Sequence, residues 1–224
     1  YAYTIQGWLK GVNSGARLAW KDMGRDGWIP PNDQYANPNR EVGRDAFSFT
    51  LNYFENDYVP VGGMGWHPEI GYSLNDWITP FSGNLYNGNI RSMTNDIQNI
   101  DNSILGIAYK YDQLNRIKGT HTIFEPNLSI WKWDENSNEN MAYEESGINY
   151  DKNGNIKNYT RKDETGSIMD DLEYFLDPNE INNQLNYVSD NIATIFDGDI
   201  ESQNQKMMMK INFLQQDFFI NHHH

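Results

Sequence analysis

The sequence contains no cysteine, which removes disulfides and thiolate chemistry from consideration. Cations are scarce: 17 Lys and Arg stand against 31 Asp and Glu, leaving a formal charge of -14 and a pI near 4.6. So acidic a chain lacks the clustered positive charge that displaces counterions from a phosphate backbone. Nucleic-acid binding and attachment to anionic membrane are therefore not expected. No apolar run is long enough to span a bilayer, so no membrane insertion is expected, and no secretory signal opens the chain.

The signatures of chemistry are equally sparse. Outside His222-His223-His224, which read as the remnant of a purification tag, the histidines are His67 and His121. They are far apart and neither belongs to a ligand-spaced cluster, so no metal or other cofactor is expected. Asp197-Gly198-Asp199-Ile200-Glu201 lacks the spaced carboxylates of an EF-hand and reads as a solvated turn. There is no Gly-x-Ser-x-Gly elbow. Asp170-Asp171 and Glu144-Glu145 would point to opposite faces of a strand, which makes them poor acid/base pairs. Gly62-Gly63-Met64-Gly65 lacks the Lys-Ser/Thr of a phosphate loop. No catalytic residues and no enzymatic activity are expected.

Aromatic residues, by contrast, are plentiful. They make up 14% of the chain, with 14 Tyr and 7 Trp, while the mean hydropathy is low at -0.77. Rings with a polar tip suit half-buried sheet faces, so this mixture favours β structure over disorder. At 224 residues the chain is long enough to bury a core.

A short phrase recurs: an aromatic, an Asp or Asn, a polar turn with Gly or Asn, then an aliphatic. It reads Tyr86-Asn87-Gly88-Asn89-Ile90, then Tyr111-Asp112-Gln113-Leu114-Asn115-Arg116-Ile117, then Tyr150-Asp151-Lys152-Asn153-Gly154-Asn155-Ile156. Each predicts a strand ending in a tight turn, because Asn and Gly tolerate positive φ and the aliphatic restarts a strand. Tyr3-Thr4-Ile5-Gln6-Gly7-Trp8-Leu9 begins the series, and Asp171-Leu172-Glu173-Tyr174 followed by Asn183-Gln184-Leu185 reads as a repeat with an insertion. Between them, Phe47, Phe49, Leu51 and Tyr53 alternate with Ser48, Thr50 and Asn52, which predicts a half-buried strand over 46–53. Strands are also expected near 89–93, 105–112, 121–124, 129–133, 147–161, 168–176 and 184–189. Residues 15–45 and 54–80 carry Pro30-Pro31 and many Gly and Asn, and read as irregular excursions without the phrase.

These phrases resemble the YD (tyrosine–aspartate) repeat of Rhs proteins, toxin-complex shells and teneurins. Tyr150 to Ile156 matches the pattern almost completely, Tyr109 to Ile117 is similar to its Asn-Arg variant, and Gly7-Trp8-Leu9 resembles a variant of large secreted proteins of Bacteroidetes. The resemblance covers roughly 1–14 and 80–200. Residues carried over as repeat-motif positions are Tyr3, Gly7, Trp8, Tyr86, Gly88, Tyr111, Asp112, Asn115, Arg116, Tyr150, Asp151, Gly154, Asn155 and Tyr174. The spacing is uneven, residues 15–80 show no phrase, and Asp177-Pro178 does not reproduce the family's autoproteolytic Asp-Pro-x-Gly site, so no self-cleavage is expected.

The resemblance implies an all-β fold of antiparallel hairpins forming part of a large curved β-shell, with long irregular loops. It implies one fragment over 1–224 of a larger secreted or cell-surface bacterial polypeptide, with 201–221 an unassigned tail. The partners implied are the remainder of that polypeptide and an encapsulated C-terminal toxin or effector, with type IX secretion as the implied route. The alternative is an adhesion or binding module, in which Trp20, Trp28, Trp66 and Trp77 would contact a glycan or a protein.

Overall fold

The computed structural model describes residues 1–13, 15–20, 22, 24–32, 35–59, 81–99, 104–124, 141–176 and 183–192. Their regular structure is entirely β. Ten strands follow one another: β1 (Ala2–Tyr3), β2 (Leu9–Val12), β3 (Phe47–Asn52), β4 (Ser92–Ile97), β5 (Ile104–Tyr111), β6 (Ile117–Phe124), β7 (Glu145–Tyr150), β8 (Ile156–Lys162), β9 (Ile168–Leu176) and β10 (Leu185–Asp190). The chain divides into two compact units, Tyr1–Met141 and Ala142–His224. In the first, β1 to β6 form an antiparallel meander, each strand beside its sequence neighbour. In the second, β7 to β10 do the same. The all-β hairpin architecture expected from the sequence is what the chain adopts. Expected strand 129–133 and the sequences at 197–201 and 177–178 lie outside the described residues.

Four hairpin turns are built alike. In each, one residue donates its N–H to the carbonyl four positions on and accepts from the N–H three positions on. The pairs are Thr4 with Trp8 and Gly7, Asp112 with Arg116 and Asn115, Asp151 with Asn155 and Gly154, and Asp163 with Ser167 and Gly166. The residue after the tip is left-handed in all four: Gly7 at φ 82°, Asn115 at 62°, Gly154 at 90° and Gly166 at 81°. This is a tight turn followed by a one-residue bulge, a geometry that Gly and Asn adopt with least strain. Tyr3 then pairs with Leu9, Tyr111 with Ile117, Tyr150 with Ile156 and Lys162 with Ile168, each beside a register shift. The turn at Asp163 has Lys162 in place of Tyr and was not among the phrases read from the sequence. Its signal was present in Asp163-Glu164-Thr165-Gly166-Ser167-Ile168.

The strand over 46–53 is present but its faces are reversed from the usual reading of such an alternation. Ser48, Thr50 and Asn52 are buried, while Phe47 is 43% exposed and Phe49 and Leu51 are only half-buried. The pattern continues across the sheet. Asn52 pairs with Ser92 and Thr50 with Thr94, and on β5 Gly106 and Ala108 lie in the same two rows. Ser92, Thr94, Asp96 and Ala108 are buried as well. Small side chains let a second layer of chain approach closely. That layer is supplied by the connections: Arg17 donates to Asp96 from its backbone N–H at 2.8 Å and from Nε at 2.7 Å. Buried Arg91 donates from Nε to the Ser82 carbonyl and through its guanidinium to Asn84. Alternation alone specifies that a strand has two faces; tertiary cover decides which one is inside.

Candidate functional site

The repeat residues are positioned by the turns. Asp151 Oδ1 accepts the N–H groups of Asn153 and Asn155, both at 2.8 Å, and Oδ2 accepts from Asn155 Nδ2 at 2.8 Å. Asp112 does the same for Leu114 and Arg116 and pairs with the Arg116 guanidinium at 2.7 Å. Asp163 serves Thr165 and Ser167. Thr4 performs a reduced version, its hydroxyl accepting from Trp8 N–H. The hydrogen bonds hold all three carboxyls below the ordinary aspartate range: from Arg116 on Asp112, from the Asn155 side chain on Asp151, and from the Thr165 hydroxyl on Asp163.

Tyrosines tie one phrase to the previous one. The Tyr111 hydroxyl donates to the Ile90 carbonyl at 2.8 Å. The Tyr53 hydroxyl donates to the Leu9 carbonyl at 2.8 Å. In both cases the acceptor is the aliphatic that ends the preceding phrase, so Tyr53 plays the part of a repeat tyrosine inside the stretch read as phrase-free. Burial raises both phenols, with Asp57 adding to the effect at Tyr53 and Tyr109 at Tyr111. The turns also meet edge to edge. A Cβ on Gly88 would lie 3.4 Å from the Trp8 indole, and Asn87 Nδ2 donates to Asn115 Oδ1 at 2.7 Å. In the second unit Asn153 and Asn155 both donate to Asn183 Oδ1 at 3.2 Å.

One motif position, Tyr86, differs from the sequence reading. Tyr86 does not end a strand: it lies in an irregular stretch, is 70% exposed and rests on the Phe54 ring, and the next strand begins only at Ser92. Tyr174 lies within β9 and pairs with Val188, in the strand expected over 168–176 beside 184–189. Of the candidate contact aromatics, Trp20 is 47% exposed and Trp28 is half-buried under Arg25, 5.1 Å from the ring centre. Trp66 and Trp77 lie outside the described residues, as does His67. His121 sits on β6 against Phe81, ring centres 5.5 Å apart.

Two side-chain clusters escaped the sequence reading because each joins segments that are distant in the chain. Asp22, Asp26 and Asp45 bring one carboxylate oxygen each within 4.8 Å of one another, in a depression also lined by Arg17 and Arg44. Partial burial and the two neighbouring carboxylates raise Asp45 above the ordinary range. Such oxygens suit a hard cation in chemical type, although the two arginines compete for the same charge.

The second cluster is at the start of the buried polar face. Lys10, on β2, has no exposed side-chain surface, and neither has its ion-pair partner Asp57, at 2.6 Å. Lys10 Nζ also donates to Asn52 Oδ1 at 2.6 Å, and Asn52 Nδ2 donates to Ser92 Oγ at 3.0 Å. Asp57 Oδ2 accepts the Tyr53 N–H at 2.8 Å. Tyr53 and Trp8, ring centres 5.0 Å apart, stand beside it. An amine, a carboxylate and a carboxamide are thus held in contact without water access.

In comparison with known proteins, no family model, no curated protein and no solved structure matches this chain.

Proposed function

We propose that this chain is a non-catalytic wall segment of a YD-repeat shell, which isolates and helps deliver an effector domain carried by the same polypeptide. The observation that carries this reading is the repetition of one turn in one register at Thr4, Asp112, Asp151 and Asp163. A hairpin that recurs with the same bonds is a building unit, and such units extend by adding neighbours rather than by forming a cleft. The edge-to-edge bonds of Asn87 to Asn115 and of Asn153 and Asn155 to Asn183 support it, because they link successive turns along a border. The half-buried Phe49, Leu51, Met93 and Ile107 offer an apolar side that enclosed cargo would cover. The shell, its cargo and its secretion rest on the resemblance of the phrases.

The test is the native gene product, isolated without proteolysis, sized by mass spectrometry and imaged by electron microscopy. A polypeptide far heavier than 26.1 kDa that forms hollow particles is expected. A native product of that mass, or a larger one forming solid or extended particles, would refute the shell.

A surface-binding role has one observation in its favour. The connection between β2 and β3 exposes Trp20, Ile29 and Tyr35, at 47%, 63% and 69%, with Arg40 4.9 Å over the Tyr35 ring. Such rings stack on sugars or on a partner protein. A saturable change in tryptophan fluorescence on titration with a glycan, lost in Trp20→Ala, would favour this reading.

A further inference from the structure

We propose that Lys10 and Asn52 become joined by an intramolecular isopeptide bond, with Asp57 as the proton carrier. The inference does not depend on the shell. Three features of the cluster carry it. Lys10 Nζ lies 2.6 Å from Asn52 Oδ1, which brings the amine into the range of the adjacent carbonyl carbon required for attack. Asn52 is oriented from its far side: its Nδ2 donates to Ser92 Oγ, so the carbonyl and not the amide nitrogen faces the lysine. Asp57 touches the same Nζ at 2.6 Å through Oδ1, an ion pair not aligned as a hydrogen bond, while Oδ2 is held by the Tyr53 N–H. Lys10 and Asp57 have 0% side-chain exposure, Asn52 is 1% exposed and Ser92 1% exposed.

The chemistry follows from these contacts. In the first step one proton passes from the Lys10 ammonium to the Asp57 carboxylate that touches it at 2.6 Å. The Nζ lone pair then attacks Asn52 Cγ, and the carbonyl electron pair moves onto Oδ1. As that pair returns, the bond from Cγ to Nδ2 breaks. The second proton of the attacking nitrogen passes to Nδ2, which departs as ammonia. Asp57 gives up the proton it took, regenerating its carboxylate and converting the ammonia to ammonium. One ammonium ion and one new amide replace one lysine ammonium and one carboxamide, with no oxidant or cofactor required.

The location makes the bond useful. The backbone ladder of β2 with β3 is short, pairing Gly11 with Thr50 and Val12 with Phe49, and the connection between these strands is long. A covalent link between positions separated by 42 residues would close that excursion as a disulfide does, in a chain without cysteine.

Intact-mass measurement of the whole chain, denatured, tests this directly. The expected mass is below that of the unmodified sequence by one ammonia, about 17 Da. Trypsin should fail to cut after Lys10, and a branched peptide should carry both Lys10 and Asn52 fragments. Asp57→Asn and Lys10→Arg should each restore the full mass. An unmodified mass with normal cleavage after Lys10 overturns the proposal whether or not any variant folds. Loss of one water with a branch from Lys10 to Asp57 also overturns it, as does loss of ammonia without a branched peptide.

Discussion

Thr50 and Ser92 sit on adjacent strands, on the same buried face, with 0% and 1% exposure. Removal of their hydroxyls should nevertheless change stability in opposite directions. Thr50 Oγ1 makes no hydrogen bond among the described residues. It was stripped of water on folding and gained nothing in return, which costs about 1–3 kcal/mol for a group of this kind. Thr50→Val keeps the branched shape and the strand preference and opens no cavity. It should stabilise the protein by about 1–2 kcal/mol, a little below the full penalty because the new methyl must pack where an oxygen was. Ser92 Oγ, in contrast, accepts from Asn52 Nδ2 at 3.0 Å. In the chain before Lys10 and Asn52 are joined, or in Lys10→Arg where Asn52 keeps its amide, Ser92→Ala leaves that donor buried and unmet, and should destabilise by about 1–3 kcal/mol.

The two variants would therefore differ by roughly 2–5 kcal/mol although each deletes one buried oxygen. Urea denaturation followed by tryptophan fluorescence would measure both, with the m-value checked for constancy so that midpoint shifts report stability alone. Loss of stability in Thr50→Val comparable to that in Ser92→Ala would refute the reasoning. It would mean that Thr50 is hydrogen-bonded in solution and that the polar face is satisfied throughout.

Glycines at two positions should fail for different reasons. Gly154→Ala introduces a side chain at φ 90° with nothing within 4 Å to obstruct it, so about 1–2 kcal/mol of pure backbone strain is expected in thermal unfolding. Gly154→Asn should recover part of this loss. Gly11→Ala is a clash without strain, because its Cβ would lie 2.7 Å from the Phe49 carbonyl oxygen; a loss of about 1–3 kcal/mol is expected, and Gly11→Asn should be no better. Acid should weaken the turns. Asp112, Asp151 and Asp163 have folded pKa values below the ordinary value of about 3.9, so their contribution is complete above that value and is lost as pH falls through the lowered folded range. A series of denaturation midpoints taken downward in pH should fall more steeply for the native sequence than for a triple Asp→Asn variant; parallel curves would contradict the assignment.

What was legible in the sequence divides along a physical line. The turns at Thr4, Asp112 and Asp151 were readable because all their determinants lie within seven consecutive positions: an acceptor side chain, a left-handed Gly or Asn, and an aliphatic that resumes the strand. The turn at Asp163 obeys the same chemistry, and only the insistence on a leading tyrosine concealed it. The tyrosine serves a different purpose from the aspartate. Asp112 folds its own turn, while Tyr111 reaches sideways to Ile90. A hairpin can therefore keep the first without the second, as Lys162-Asp163 does, and Tyr53 supplies the lateral bond to Leu9 beside a loop rather than a tight hairpin. Read separately, the two signals locate more of the architecture than the joined phrase.

The buried polar face was illegible for the converse reason. Phe47-Ser48-Phe49-Thr50-Leu51-Asn52 presents an apolar set and a polar set, and burial energy alone would turn the phenylalanines inward. The decision was made elsewhere. Gly11 approaches so closely that a Cβ there would meet Thr50, and Arg17 descends on Asp96 from an excursion whose described residues form no strand or helix. Lys10 and Asp57 complete the layer by neutralising one another beside Asn52. A large apolar face could not have accepted these side chains, since each buried charge requires a partner and each buried amide a hydrogen bond. The polar set of β3 is therefore the half of the alternation that the connections can satisfy, and the apolar set is left for whatever lies on the other side.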